Sequence, residues 1–162
     1  MFQLSKEGQE FVKNELTRYE HKYSAIIPSL YRAQKENGGW ISGDCIRHLS
    51  QLTQIPEAHI WEVAKFYTMF NKQPVGKLHI QVCANISCAM NGGRELAAHL
   101  CKHFGVKENE MSKDGMMTIT KVECLGSCGT APMMQINDAY HENLTHEKAV
   151  QIINELKARH GN

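Results

Sequence analysis

Four of the six cysteines stand in two tight pairs: Cys83 and Cys88 bracket four residues in CANISC, and Cys124 and Cys128 bracket three in CLGSC. Thiols so grouped hold an iron-sulfur cluster, hold zinc, or remain unmetallated, and spacing by itself leaves all three open. The gaps are wider than the two-residue knuckles common in structural zinc sites, and they leave room around an object with two iron atoms. A redox enzyme of the thioredoxin class needs a C-x-x-C dithiol at a helix start, and no such pair occurs in the chain.

The flanking residues suit a sulfur-rich centre. Gly126, Gly129, Ser127, Ala131 and Ala89 are small enough for backbone amides to approach sulfur, and such hydrogen bonds raise a cluster's potential. Cys45 and Cys101 lack partners at metal spacing and read as core thiols of helices. His99 and His103 lie four apart, a metal-like helical spacing, yet among nine histidines they read as a solvated helix face.

The elements that must position the thiols follow from hydrophobic period. From Lys77 the pattern alternates, with Leu78, Ile80 and Val82 on one face and His79 and Gln81 on the other, predicting a strand that ends at Cys83. A helix carrying Leu96, Ala97, Leu100 and Phe104 closes near Gly105, and a second strand runs from Met117 to about Cys124. This is a β-α-β unit, whose right-handed crossover makes the strands parallel and brings both thiol pairs to one sheet edge. Thirty-five residues separate Cys88 from Cys124, enough for the crossover. Strands over Met133–Ile136 and Ala139–Glu142, joined by an Asn-Asp turn, and a last helix capped by Thr145 complete the domain. Ahead of it, four helical segments are predicted, beginning at Ser5, Ser24, Ser42 and Pro56, with Pro56 at the first helical position and the aromatics of KFYTMF packed inward. The fold class is therefore α+β: an N-terminal helical bundle over residues 1–75, then a thioredoxin-like β-α-β-β-β-α domain over residues 76–162.

Composition narrows the partners. The 18 basic and 17 acidic side chains nearly cancel, so there is no concentrated basic face for nucleic acid. The amino terminus MFQLSKEGQEFVKNE has no apolar stretch of a secretion signal or membrane span, which predicts a cytoplasmic chain without direct membrane insertion. A reducing compartment in turn disfavours disulfides among the cysteines. No nucleotide-binding fingerprint is present: NGGREL lacks the G-x-G-x-x-G arrangement.

The segments FYTMFNKQPVGKLHIQVCANISCAMNGGREL and VECLGSCGTAPMMQIND, with SAIIPSLYRAQKENGGWIS and LTHEKAVQIINELK, resemble the E-subunit family of bacterial NADH:quinone oxidoreductase, respiratory complex I, over nearly the whole chain. The resemblance implies one 2Fe-2S cluster held by Cys83, Cys88, Cys124 and Cys128. It also implies a partner flavoprotein of the F-subunit type that binds FMN and NADH, with the rest of the peripheral arm of complex I beyond it. The chain would then be an electron-transfer subunit, not catalytic alone, peripheral on the cytoplasmic side of the inner membrane, with residues 1–75 as a docking region. Where relatives often carry a more hydrophobic or basic residue after the second cysteine, this chain has Ala89. The same module occurs in NAD-linked hydrogenases and formate dehydrogenases, which remain alternative hosts. A zinc-stabilised interaction module and a diffusible dimeric ferredoxin are the other readings.

Overall fold

A computed structural model describes residues 1–160. The chain divides into two compact units, Met1–Pro74 and a second that begins at Val75.

The first unit is helical: α1 (Lys6–Arg18), α2 (Ile26–Glu36), α3 (Gly43–Thr53) and α4 (Glu57–Phe66), with a short 3-10 turn before α2. Ser5 and Ser42 cap α1 and α3 by accepting the backbone N–H of Gly8 and Cys45, which satisfies donors that a helix start otherwise leaves unpaired. Val12, Leu30, Ile46, Leu49, Ile60 and Phe70 meet in the core with Ile41 and Ile55. Pro56 stands one position earlier than the sequence predicts, as the cap of α4. The expectation of inward aromatics also holds only in part. Phe70 is fully buried, but Phe66 is 78% exposed and Tyr67 faces solvent as well. Ile60 and Ala64 define the inward stripe of α4, so Phe66, two residues past Ala64, lies roughly 200° around the helix. In α1 the inward residues are Gly8, Val12 and Glu15, leaving Phe11 at the surface beneath the Arg32 guanidinium.

The second unit is built on a four-stranded sheet, β1 (Leu78–Cys83), β2 (Met117–Val122), β3 (Met134–Ile136) and β4 (Ala139–His141), in the order β2-β1-β3-β4. β1 and β2 are parallel, with Cys83 opposite Val122; β3 is antiparallel to β1 and to β4. Between β1 and β2 run a short helix, α5 (Ile86–Met90), and the crossover helix α6 (Gly93–Phe104); α7 (His146–His160) follows β4. Leu78, Ile80, Val82, Met117, Ile119, Met134 and Ile136 pack with Leu96, Ala97 and Leu100 of α6 and with Ala149 and Ile153 of α7. The alternation read from the sequence thus puts the apolar side of the sheet under two helices. Gly105 closes α6 at φ 63, a left-handed conformation that glycine takes at little cost. A two-residue turn joins β3 to β4; its Asn137 side chain accepts the His79 N–H and donates to the Lys77 carbonyl, tying the hairpin to β1. Thr145 accepts the N–H of Lys148 at the start of α7. No helix among the described residues is long and apolar enough to cross a membrane.

Candidate metal centre

The parallel pairing of β1 and β2 decides where the thiols go. Cys83 is the last residue of β1, and β2 ends opposite it at Val122, so the chain leaving each strand emerges at the same edge. The short α5 carries Cys88 back over that edge, capped by the Asn85 side chain on the N–H of Ile86. Cys124 follows β2 in the loop, and Cys128 opens a 3-10 turn through Thr130. All four cysteines line one cavity of about 240 Å³ together with Asn85, Ile86, Ser87 and Ser127.

Cys83 and Cys88 form the buried floor, 4% and 2% exposed, while Cys124 and Cys128 stand at the exposed mouth. Beneath the floor lies Met133, with Leu125 and Ala131 alongside. The mouth is held by cross-loop bonds: the Ser87 hydroxyl donates to the Cys128 carbonyl at 2.8 Å, and the Tyr140 hydroxyl to the Leu125 carbonyl at 2.6 Å. Cys124 Sγ and Cys128 Sγ are 3.8 Å apart. Two thiolates on one tetrahedral metal at ~2.3 Å stand roughly 3.8 Å apart, so this pair is already at ligand separation.

A backbone amide points at sulfur: Gly126 N–H reaches Cys124 Sγ at 3.3 Å, as its small neighbours predict. Met133 packs against Cys83 and Cys88. Burial, followed by the adjoining Cys83 thiol, pushes Cys88 up to about 11. Cys128 is raised chiefly by its hydrogen bond with Cys124 and then by that neighbour's charge. Four thiols this close resist ionising together, and a coordinated cation reverses that cost by taking the thiolates directly. Two thiol pairs around one cavity fit a two-metal group, which Cys83, Cys88, Cys124 and Cys128 would hold.

The other candidates lie elsewhere. Cys45 is fully buried in the core of the first unit, and Cys101 is half-buried on α6 beside the core of the second; neither lines the cavity. His103 is exposed as expected, but His99 is half-buried and stacks on His146 of α7, with ring centroids 4.4 Å apart. Helical spacing carried no sign of that third ring.

Sequence reasoning missed Met133 and Gly93. A Cβ built on Gly93 would sit 2.5 Å from the Cys83 carbonyl oxygen and 2.9 Å from that of Cys88, so only glycine lets α6 begin against the backbone of both buried ligand candidates. The double glycine at a helix start directly after a cysteine loop was the available signal; Met133 had none, since it meets Cys88, 45 residues away, only by packing in the folded chain.

The family model of the thioredoxin-like 2Fe-2S ferredoxins matches residues 12–157. A Rickettsia bellii protein, named as the E subunit of NADH-quinone oxidoreductase, is 40% identical over 158 residues, covering 96% of this chain and 95% of the relative. A Rickettsia prowazekii protein of the same name is 38% identical, covering 98% and 93%. Among solved structures, an NAD+-reducing NiFe-hydrogenase in the air-oxidized state superposes with a TM-score of 0.71 at 21% identity, over 83% of this chain; the chain spans 23% of that hydrogenase chain. The family supports a 2Fe-2S cluster, the two-metal group that paired thiols around one cavity suit. With its mixed sheet, its helices on one face and its cysteine-lined edge, the chain belongs to the thioredoxin-like 2Fe-2S ferredoxin family.

Proposed function

We propose that this chain is the electron-transfer subunit of an NADH dehydrogenase module, holding one 2Fe-2S cluster on Cys83, Cys88, Cys124 and Cys128. The observation that carries the reading is the single cavity lined by all four thiols at the carboxyl edge of the parallel pair. The cluster supplies one-electron transfer when bound. The protein's part is to bury one thiol pair, keep the other at the surface within reach of a partner, and aim the Gly126 amide at sulfur. This donor stabilises the more negative, reduced form and raises its potential.

The electron donor in this proposal is the FMN of a partner flavoprotein of the F-subunit type, which also binds NADH. Names shared by relatives at 38% and 40% identity support NADH:quinone oxidoreductase as host. In this proposal the chain is peripheral on the cytoplasmic side through the rest of the arm. The first unit is the docking region, and the exposed Phe66 and Tyr67, edge-on with centroids 5.0 Å apart, are its contact residues.

The test is iron, zinc and acid-labile sulfide per chain on anaerobically purified protein, repeated with each of the six cysteines changed to serine. Two irons and two sulfides are expected in the wild type, reduced by any change at the four cavity cysteines and retained in Cys45→Ser and Cys101→Ser. Zinc without sulfide after iron-replete growth overturns the reading.

A further inference from the structure

Besides the Ser87 and Tyr140 hydroxyls, a carboxylate ties the loop bearing Cys124 and Cys128 from outside. Glu142, just past β4, accepts on Oε1 from the Thr130 hydroxyl at 2.7 Å and from the Ser127 hydroxyl. Those two hydroxyl oxygens are themselves 2.7 Å apart. Ser127 lies between the two mouth cysteines, next to Cys128, and Thr130 ends the 3-10 turn that Cys128 begins. The backbone repeats the tie: Asn143 N–H donates to the Thr130 carbonyl at 2.9 Å, and Leu144 N–H to the Pro132 carbonyl at 3.0 Å. Lys148, the nearby cation, spends its ammonium on the Glu142 and Asn143 carbonyls at 2.8 and 3.2 Å, not on the carboxylate. Among the described residues Glu142 forms no ion pair. The two hydroxyl donors favour its charged form and hold it below the usual carboxylate range. The result is an ionised carboxylate, in no ion pair among the described residues, fastened to the loop that carries two thiols.

We infer that Glu142 is a positioning residue for the exposed thiol pair and that its fixed charge lowers the reduction potential of the group those thiols hold. This rests on the ligand assignment above. Two consequences separate geometry from charge. A neutral amide at this position still accepts hydroxyl protons, so it keeps the loop while removing the charge; loss of a hydroxyl does the converse. Reduction adds an electron beside the carboxylate, so removing its charge makes that electron easier to add.

The experiment uses the full-length holoprotein and measures the midpoint potential by redox titration followed by electron paramagnetic resonance, together with the rate of iron loss to a chelator. Two irons and two sulfides in the wild type, reduced in Cys124→Ser and Cys128→Ser, establish the assignment on which the inference rests; any other result overturns that assignment and this inference with it. With the wild-type cluster in place, Glu142→Gln is expected to keep full iron content and an unchanged resonance line shape while its midpoint potential moves upward. Thr130→Val is expected to leave the potential closer to wild type and to lose iron roughly tenfold faster, the size of effect typical for groups that orient a metal ligand. A Glu142→Gln cluster at wild-type potential overturns the electrostatic half, and Thr130→Val with wild-type iron retention overturns the positioning half. Each of these outcomes leaves the ligand assignment standing.

Discussion

Gly93→Ala tests how tightly the centre is built. The new Cβ would stand 2.5 Å from the Cys83 carbonyl oxygen, 2.9 Å from the Cys88 oxygen and 3.1 Å from the Cys88 carbonyl carbon. Carbon–oxygen contacts settle at ~3.3–3.6 Å, so the Cys83 carbonyl must retreat by roughly 0.8 Å. The atoms in the way are backbone, and the Cys83 amide is bonded to the Met133 carbonyl at 3.2 Å while that of Ala84 is bonded to the Val122 carbonyl at 2.9 Å, so retreat strains the sheet edge. Overpacking of this kind costs about 1–3 kcal/mol. Alanine's better helix propensity offsets at most ~1 kcal/mol, and less at a first helical position, which leaves a net loss of about 1–2 kcal/mol. Gly43→Ala supplies the control, because Gly43 is also a first helical residue and its Cβ would meet nothing within 4 Å. That variant should be neutral or gain up to about 1 kcal/mol. Denaturant unfolding of both variants, with iron content beside it, reads the difference. Gly93→Ala should unfold at lower denaturant and hold less iron. If the two alanine variants match in midpoint and iron, the reasoning from close backbone approach is wrong.

Other parts of the molecule carry three further predictions. His79 is buried and its imidazole is pushed down to about 4 by loss of solvent, with Thr120 Oγ1 at 3.2 Å from Nε2. The unfolded chain takes up that proton near pH ~6.5, so stability is full above that pH and falls by roughly 3 kcal/mol as pH drops toward ~4. His79→Gln should flatten this slope in acid-unfolding curves; the remaining slope comes partly from His48 and His141, which burial lowers as well. Phe66→Ser with Tyr67→Ser should leave iron content unchanged and reduce co-purification with the flavoprotein, and intact co-purification would remove the first unit's aromatic edge from the docking surface. Phe70→Ala should destabilise the first unit by about 3–5 kcal/mol in calorimetry, because the side chain is fully enclosed and its loss leaves a cavity.

Much of the centre was legible in the chain because its causes are local. A period of two that ends at Cys83, a period near four that closes at Gly105, and a second alternating run before Cys124 dictate a parallel unit with both cysteine loops at one end. The serine and threonine caps at Ser5, Ser42 and Thr145 were read from adjacent residues and act within one helical turn. Cysteine spacing left iron-sulfur and zinc both open, and family resemblance chose between them.

What tertiary structure alone decided involves residues distant in sequence. The order β2-β1-β3-β4 puts Met133 under Cys88 and brings Glu142 to the Ser127 loop, partners 45 and 15 residues apart that no local pattern joins. Phe66 points outward because α4 reaches its inward stripe at Ile60 and Ala64 and ends two residues later, so the aromatic run Phe66–Phe70 is split between surface and core. His146 reaches His99 only because α6 and α7 share one face of the sheet. Sequence by itself determined which thiols are paired and at which strand ends they stand, since backbone period and turn chemistry act over a few residues. The packing of helices and strands determined which amides, carboxylates and glycines surround those thiols, since hydrogen bonds and steric exclusion depend on distance in space rather than along the chain.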